Sequence, residues 1–135
     1  MIKVVVFGAF DPLHEGHKNL FRQAKALGDY LVVVVSSDEN IKREKNRDPR
    51  VAEANRIEDV NKNPLVDEVK IGDRGDEYTV LDDVAPDIIA LGYDQKIPEG
   101  LKNKVKKYKI ITLKPYKPEI YKSSKIFKKI ESDSE

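Results

Sequence analysis

Two histidines, the only two of the chain, stand three residues apart in the run Gly8-Ala9-Phe10-Asp11-Pro12-Leu13-His14-Glu15-Gly16-His17. Imidazole is the side chain that donates, accepts or carries a proton near neutral pH. At this spacing both rings lie toward one side wherever the backbone is helical. Asp11 puts a carboxylate in the same short turn, Gly8 lets the backbone approach a ligand closely, and Gly16 leaves room over a first helical turn. Three readings suit such a set. At a strand-to-helix turn, free N–H groups and the positive end of the helix dipole favour an anion, usually phosphate, and the imidazoles add donors to it. Asp11, His14 and His17 could instead ligate a metal as two histidines and a carboxylate. The bland alternative is a pair of surface, helix-terminal or backbone-satisfied core histidines.

The motif needs a strand before it and a helix after it, and the sequence supplies both. The apolar run 2–7 reads as a short buried strand. Leu20, Phe21, Ala24 and Leu27 recur at helical spacing, with Gly28 where a C-cap would stand. Further strands are expected at 30–36, 67–71 (nearer an edge), 87–91 and 109–113. Helices are expected at 51–61, carrying Arg56, at 78–84, ended by Ala85-Pro86, at 98–108, and from near Ser123 onward. The stretch 38–50 is polar and strongly charged, and Asp48-Pro49 breaks whatever structure it has. Strands separated by helices imply a parallel sheet with right-handed crossovers. The expected fold is α/β, a single doubly wound, Rossmann-like domain over 1–131 with a five-stranded parallel sheet and helices on both faces, then a frayed polar end at 132–135. Ligands of such folds lie beyond the carboxyl ends of the strands, where strand order reverses. The motifs at 8–11 and 92–94 follow strands directly and would share that edge.

Composition narrows the classes. A chain of 135 residues can bury an ordinary core without staples. With no cysteine it has no disulfide, thiolate-bound zinc or cysteine nucleophile. The formal net charge is +1, the C-terminal lysines are balanced by acids and no aromatic platform accompanies them, so no nucleic-acid partner is expected. The absence of a signal-like or membrane-spanning run makes no membrane association and a cytoplasmic location the expectation. A charged fraction of 36% with no Trp fits a heat-adapted source.

The run 8–17 resembles the G-x-F-D-x-x-H-x-G-H signature of the nucleotidyltransferase superfamily of cytidylyl- and adenylyltransferases. Tyr121-Lys122-Ser123-Ser124-Lys125-Ile126 is similar to the family's second signature, a Ser/Thr-rich stretch opening a late helix. Leu91-Gly92-Tyr93-Asp94-Gln95 and the short length most resemble the archaeal FAD synthases within it. The resemblance implies attack of a substrate phosphate on the α-phosphorus of a nucleoside triphosphate, with pyrophosphate leaving. Its substrates would be ATP and FMN, or in a second reading CTP and glycerol 3-phosphate or a similar polar phosphate. A nucleotide-binding module without turnover is the alternative from another class. Such a displacement asks for positioning, for donors where charge grows on the α-phosphate, and for cations along the leaving group.

Residue by residue, the resemblance makes His14 and His17 catalytic through phosphate contact. Ala9 and Phe10 would lend backbone contacts to the nucleotide, with Glu15 and Gly16 in the same motif. Asp11 would stand near the phosphates or a metal. Arg56 matches the family's arginine position and would be catalytic. In the charged run at 42–47, Lys42 or Lys45 would reach the phosphates from a mobile lid, the plain alternative being a solvated surface. Gly92 and Asp94 would meet ribose or base, with Tyr93 favouring adenine, or Asp94 would only form a turn. Tyr121 would flank the nucleotide, and Ser123 and Ser124 would hold a phosphate, Ser123 being also a good N-cap. Magnesium or another divalent cation would accompany the triphosphate, bound mostly by phosphate and water. The resemblance also implies a homodimer.

Overall fold

Strands β1 (Lys3–Gly8) and β2 (Tyr30–Val35) are nearly unbroken valine runs, buried on both sides, and this is what central strands of a parallel sheet require. The computed structural model describes residues 1–72, 77–95, 97, 102 and 108–115. Three shorter strands complete the sheet: β3 (Glu68–Ile71), β4 (Ile88–Leu91) and β5 (Lys109–Thr112). Their order is β3-β2-β1-β4-β5 and every adjacent pair is parallel. β1 pairs with β2 from Lys3↔Tyr30 to Gly8↔Val35. The chain moves outward from β1 through β2 to β3, then returns to the other side of β1, so strand order reverses between β1 and β4. Gly8 ends the first of these strands and Gly92 follows the second.

Alternation along β1 divides the core. Val4 and Val6 pack with Phe21 and Ala24 of α1 (Glu15–Lys25) and with Val60 of α3 (Glu53–Asn61). Val5 and Phe7 face the opposite way, toward Val80, Leu81 and Val84. Those three belong to a 3-10 turn (Glu77–Val80) running into the single turn of α4 (Leu81–Val84). Helical segments therefore cover both faces, as the alternating pattern predicts.

Several local expectations change. The polar stretch after β2 contains a helix, α2 (Asp38–Lys45). Ser37 caps it, its side chain accepting from the Asn40 N–H at 3.0 Å, and left-handed Asn46 (φ 55) closes it. Only Asn40 and Ile41 are buried in it, so no apolar stripe announces it in the sequence. Gly28 is not a cap: α1 ends at a right-handed Ala26. A Cβ on Gly28 would stand 2.7 Å from the Ile2 carbonyl oxygen and 2.9 Å from Val4 Cγ2, so glycine is there to let the chain pass close to β1. The continuous helix expected at 78–84 is split into 3-10 and α turns. Most of the helix expected at 98–108, and the one from Ser123, lie outside the described residues.

Candidate active site

The loop after β1 is turned by Phe10, whose backbone is left-handed at φ 53. For a bulky residue that conformation is strained by about 1–3 kcal/mol and needs surrounding structure to hold it. Its ring supplies that hold. The ring is buried and lies against Gly8, where an added Cβ would meet Phe10 Cζ at 2.7 Å. It also stands edge-on to His17, with ring centroids 4.9 Å apart and an interplanar angle of 78°. Gly8 therefore seats an aromatic ring of the protein itself; the close ligand approach expected of it is not needed to explain it.

Asp11 follows, its side chain 3% exposed. The carboxylate accepts from the backbone N–H groups of Arg50 (2.9 Å) and Val51 (2.7 Å) and from the Arg47 guanidinium (3.2 Å). Burial opposes its ionisation, but those donors, with the nearby Arg56 charge, outweigh it and hold its pKa below the ordinary value. Asp11 thus clamps the segment 47–51 onto the motif loop.

The two histidines cap α1 reciprocally. The Gly16 N–H donates to His14 Nδ1 at 3.1 Å, and the His14 N–H donates to His17 Nδ1 at 3.2 Å. The rings stack with centroids 3.7 Å apart. An Nδ1 that accepts leaves Nε2 as the protonated nitrogen of a neutral ring. For His17 neutrality is strongly enforced: desolvation, then the neighbouring His14, pushes its pKa down to about 3. Both rings are therefore arranged as neutral Nε2–H donors at a helix N-terminus. This is a capping role and a donor role in the same pair.

Arg56 is not where a phosphate ligand would be. It is fully buried and outside the cleft lining. Its Nε donates to the Val51 carbonyl (2.8 Å), one terminal nitrogen to those of Ala9 (2.9 Å) and Ser36 (2.7 Å), and the other to Asp38 (2.7 Å). A buried cation is tolerable only when paired and hydrogen-bonded, and every nitrogen of this guanidinium has a partner. It ties the motif loop, the end of β2, the start of α2 and the approach to α3.

These ties shape a cleft of about 560 Å³ at the switch point, in the size range of small-molecule sites. Of the expected residues, Ala9, Phe10, Asp11, His14, Gly16, His17, Gly92 and Asp94 line it together. Partial desolvation pushes the Asp94 carboxyl up, against the opposing effect of its own N–H. Gln95 braces this end, its Oε1 accepting from the Gly92 N–H (2.8 Å) and its Nε2 donating to the Phe7 carbonyl (2.9 Å). Glu15 points elsewhere, pairing with Lys18 at 3.3 Å on the surface. Lys42 also lies outside the lining, paired with Asp48 at 3.7 Å in the open. From the charged stretch after β2, Lys45, Arg47 and Arg50 do line the cleft. Lys45 is one of the two lysines expected there; Arg47 and Arg50 are not named by the sequence reading, and the signal that could have found them is the breaker Asp48-Pro49, which turns the chain between them. Asn19, Gln23 and Lys114 line the cleft with no signal of that kind. Tyr121, Ser123 and Ser124 lie outside the described residues.

Among the described residues no three His, Asp or Glu side chains gather closely enough to hold a metal ion. Asp11 in particular already accepts from three N–H groups. The two-histidine, one-carboxylate set considered from the sequence does not form.

A parallel sheet that offers helix-terminal donors and cations at its switch point belongs to the class of α/β proteins that bind nucleotides by their phosphates. Within that class the chain belongs to the cytidylyltransferase-like family, whose pattern matches residues 5–130. It is 40% identical to an FAD synthase of Thermococcus onnurineus over 136 aligned positions, 96% of this chain and 91% of that protein. It is 38% identical to an FAD synthase of Thermoplasma volcanium, over 96% of this chain and 94% of the other. Among solved structures, one from Thermoplasma volcanium described as a lipopolysaccharide core biosynthesis protein superposes with a TM-score of 0.77 at 39% identity. That match covers 86% of this chain and 98% of the other.

Proposed function

We infer that this chain is an FMN adenylyltransferase, joining ATP and FMN into FAD. A phosphate oxygen of FMN attacks the α-phosphorus of ATP, the bond from the α-phosphorus to the bridging oxygen breaks, and pyrophosphate leaves with that oxygen and its electron pair. The observation that carries the reading is the pair of neutral imidazoles fixed as Nε2–H donors at the N-terminus of α1. Donors already oriented there stabilise growing charge on the α-phosphate without reorganising. The FAD synthase relatives supply the substrates in this reading.

Of the two lysines considered for the phosphates, Lys45 rather than Lys42 takes that role, and Arg47 and Arg50 join it in neutralising the phosphates of ATP or FMN. Gly92 and Asp94 stand at the nucleoside end, and Arg56 and Asp11 act indirectly by holding the loop. A divalent cation, magnesium by preference, enters as the companion of the triphosphate, because the described residues offer no cage of their own. When bound it supplies charge neutralisation to the phosphate chain. A homodimer is part of this reading.

The test is a two-by-two assay with magnesium: ATP or CTP against FMN or glycerol 3-phosphate, following pyrophosphate and the nucleotidylated product. FAD from ATP and FMN alone is the expected result. Product only from CTP and glycerol 3-phosphate would overturn the adenylyltransferase reading. Nucleotide binding with no product in any tube would overturn the enzymatic one.

A further inference from the structure

The cleft has two unlike walls. Lys45, Arg47 and Arg50 make the one beside β2 strongly cationic. The one beside β4 and β5 carries the amides of Asn19, Gln23 and Gln95, with one acid, Asp94, and one base, Lys114. Phosphates are drawn to the first wall and to the N-terminus of α1. A nucleoside, uncharged and rich in donors and acceptors, suits the second.

Gln23 holds that second wall in place. The Lys114 N–H donates to Gln23 Oε1 at 2.9 Å, and Gln23 Nε2 donates to the Lys114 carbonyl at 2.8 Å. The side-chain amide thus pairs with both main-chain groups of one residue, as a neighbouring strand would. Nε2 also donates to Asn19 Oδ1 at 2.7 Å, one turn back on α1, which fixes the way the amide faces. Leu113 is still tied to β4, its N–H donating to the Leu91 carbonyl at 2.8 Å. Beyond it, a side chain of α1 takes over from the sheet.

We propose that Gln23 is a positioning residue for the nucleoside half of the nucleotide, acting through the backbone of Lys114. The proposal rests on the FMN adenylyltransferase reading for the identity of that nucleotide, ATP.

Calorimetric titration with magnesium-ATP, and separately with magnesium pyrophosphate, tests it on the wild-type protein and on Gln23→Leu. Losing the pair of bonds should raise the Kd for ATP about fivefold to tenfold. The Kd for pyrophosphate, which does not meet the second wall, should stay within about twofold by the same reckoning. Gln23→Glu keeps an acceptor for the Lys114 N–H but sets an oxygen against the Lys114 and Asn19 oxygens. It should show the same selective loss, and it serves if Gln23→Leu does not fold. Unchanged ATP affinity in the folded variants overturns the proposal. Equal weakening of ATP and pyrophosphate overturns it too, since that is general loosening. A wild-type protein that binds pyrophosphate but not ATP overturns the adenylyltransferase reading and the proposal with it.

Discussion

In a neutral imidazole, the nitrogen that accepts a hydrogen bond decides which nitrogen donates one. His14 and His17 each accept at Nδ1 from a backbone N–H of the α1 cap, so the helix terminus sets the tautomer of both rings. Protonating His17 would place an N–H at Nδ1 against the His14 N–H, in a desolvated position beside a second imidazole. His17→Asn should therefore lower kcat for FAD formation by about 10²–10³, the usual cost of one transition-state donor. Steady-state kinetics with ATP and FMN checks it, and a kcat near wild type would remove His17 from the mechanism. The same ring makes stability depend on pH. With a folded pKa of about 3 against an unfolded value of 6.5, the unfolded chain takes up a proton at His17 first as pH falls. Unfolding free energy should decline on acidification from about pH 6.5 toward 3, with a slope of up to about 1.4 kcal/mol per pH unit from this group. Above pH 6.5 the group contributes no slope. Asp11, with its pKa lowered, adds a loss only further down, below its unfolded value of 3.8. Urea unfolding at several pH values should show the upper part of the decline in wild type and not in His17→Asn. Parallel curves would contradict the assignment.

Among the elements, Arg56 joins β1's loop, β2, α2 and the segment before α3 with one guanidinium. Arg56→Lys keeps the charge but cannot reach three carbonyls and a carboxylate together. It should cost about 3–5 kcal/mol of stability, the penalty for breaking a buried charged network. A stability equal to wild type with activity lost would instead return Arg56 to the phosphates. Its burial was not legible in the sequence, because its carbonyl partners Ala9 and Ser36 come from distant segments that no local pattern relates to it. α2 was hidden for a different reason: a helix that buries only Asn40 and Ile41 leaves no apolar period to read. β1, β2 and β4 were legible because a strand buried on both faces must be apolar throughout. The expected end residues shifted by one or two, as element boundaries do. Gly28 was visible as a glycine but misread as a cap, and the seat that Gly8 gives Phe10 was not legible, since what each accommodates, Ile2 and Phe10, depends on packing.

At the scale of the whole molecule, the reversal of strand order between β1 and β4 brings the ends of both strands to one edge, and the cleft forms there. The alternation of strands and helices was enough to locate that edge, and both histidines of the motif line the cleft formed there. The two walls were not legible, because they require knowing that 45–50 and 114 meet across the same opening. The pattern of the cytidylyltransferase-like family matches residues 5–130, both strands of the switch point included. The most direct test of the central claim uses ATP labelled in its α-phosphate, incubated with FMN and magnesium, for wild type and for His14→Asn and His17→Asn. Label should appear in FAD with one pyrophosphate released per FAD, and both variants should lose that transfer while still binding ATP. Label remaining in ATP or in free AMP, with no FAD formed by the wild-type protein, would contradict the account.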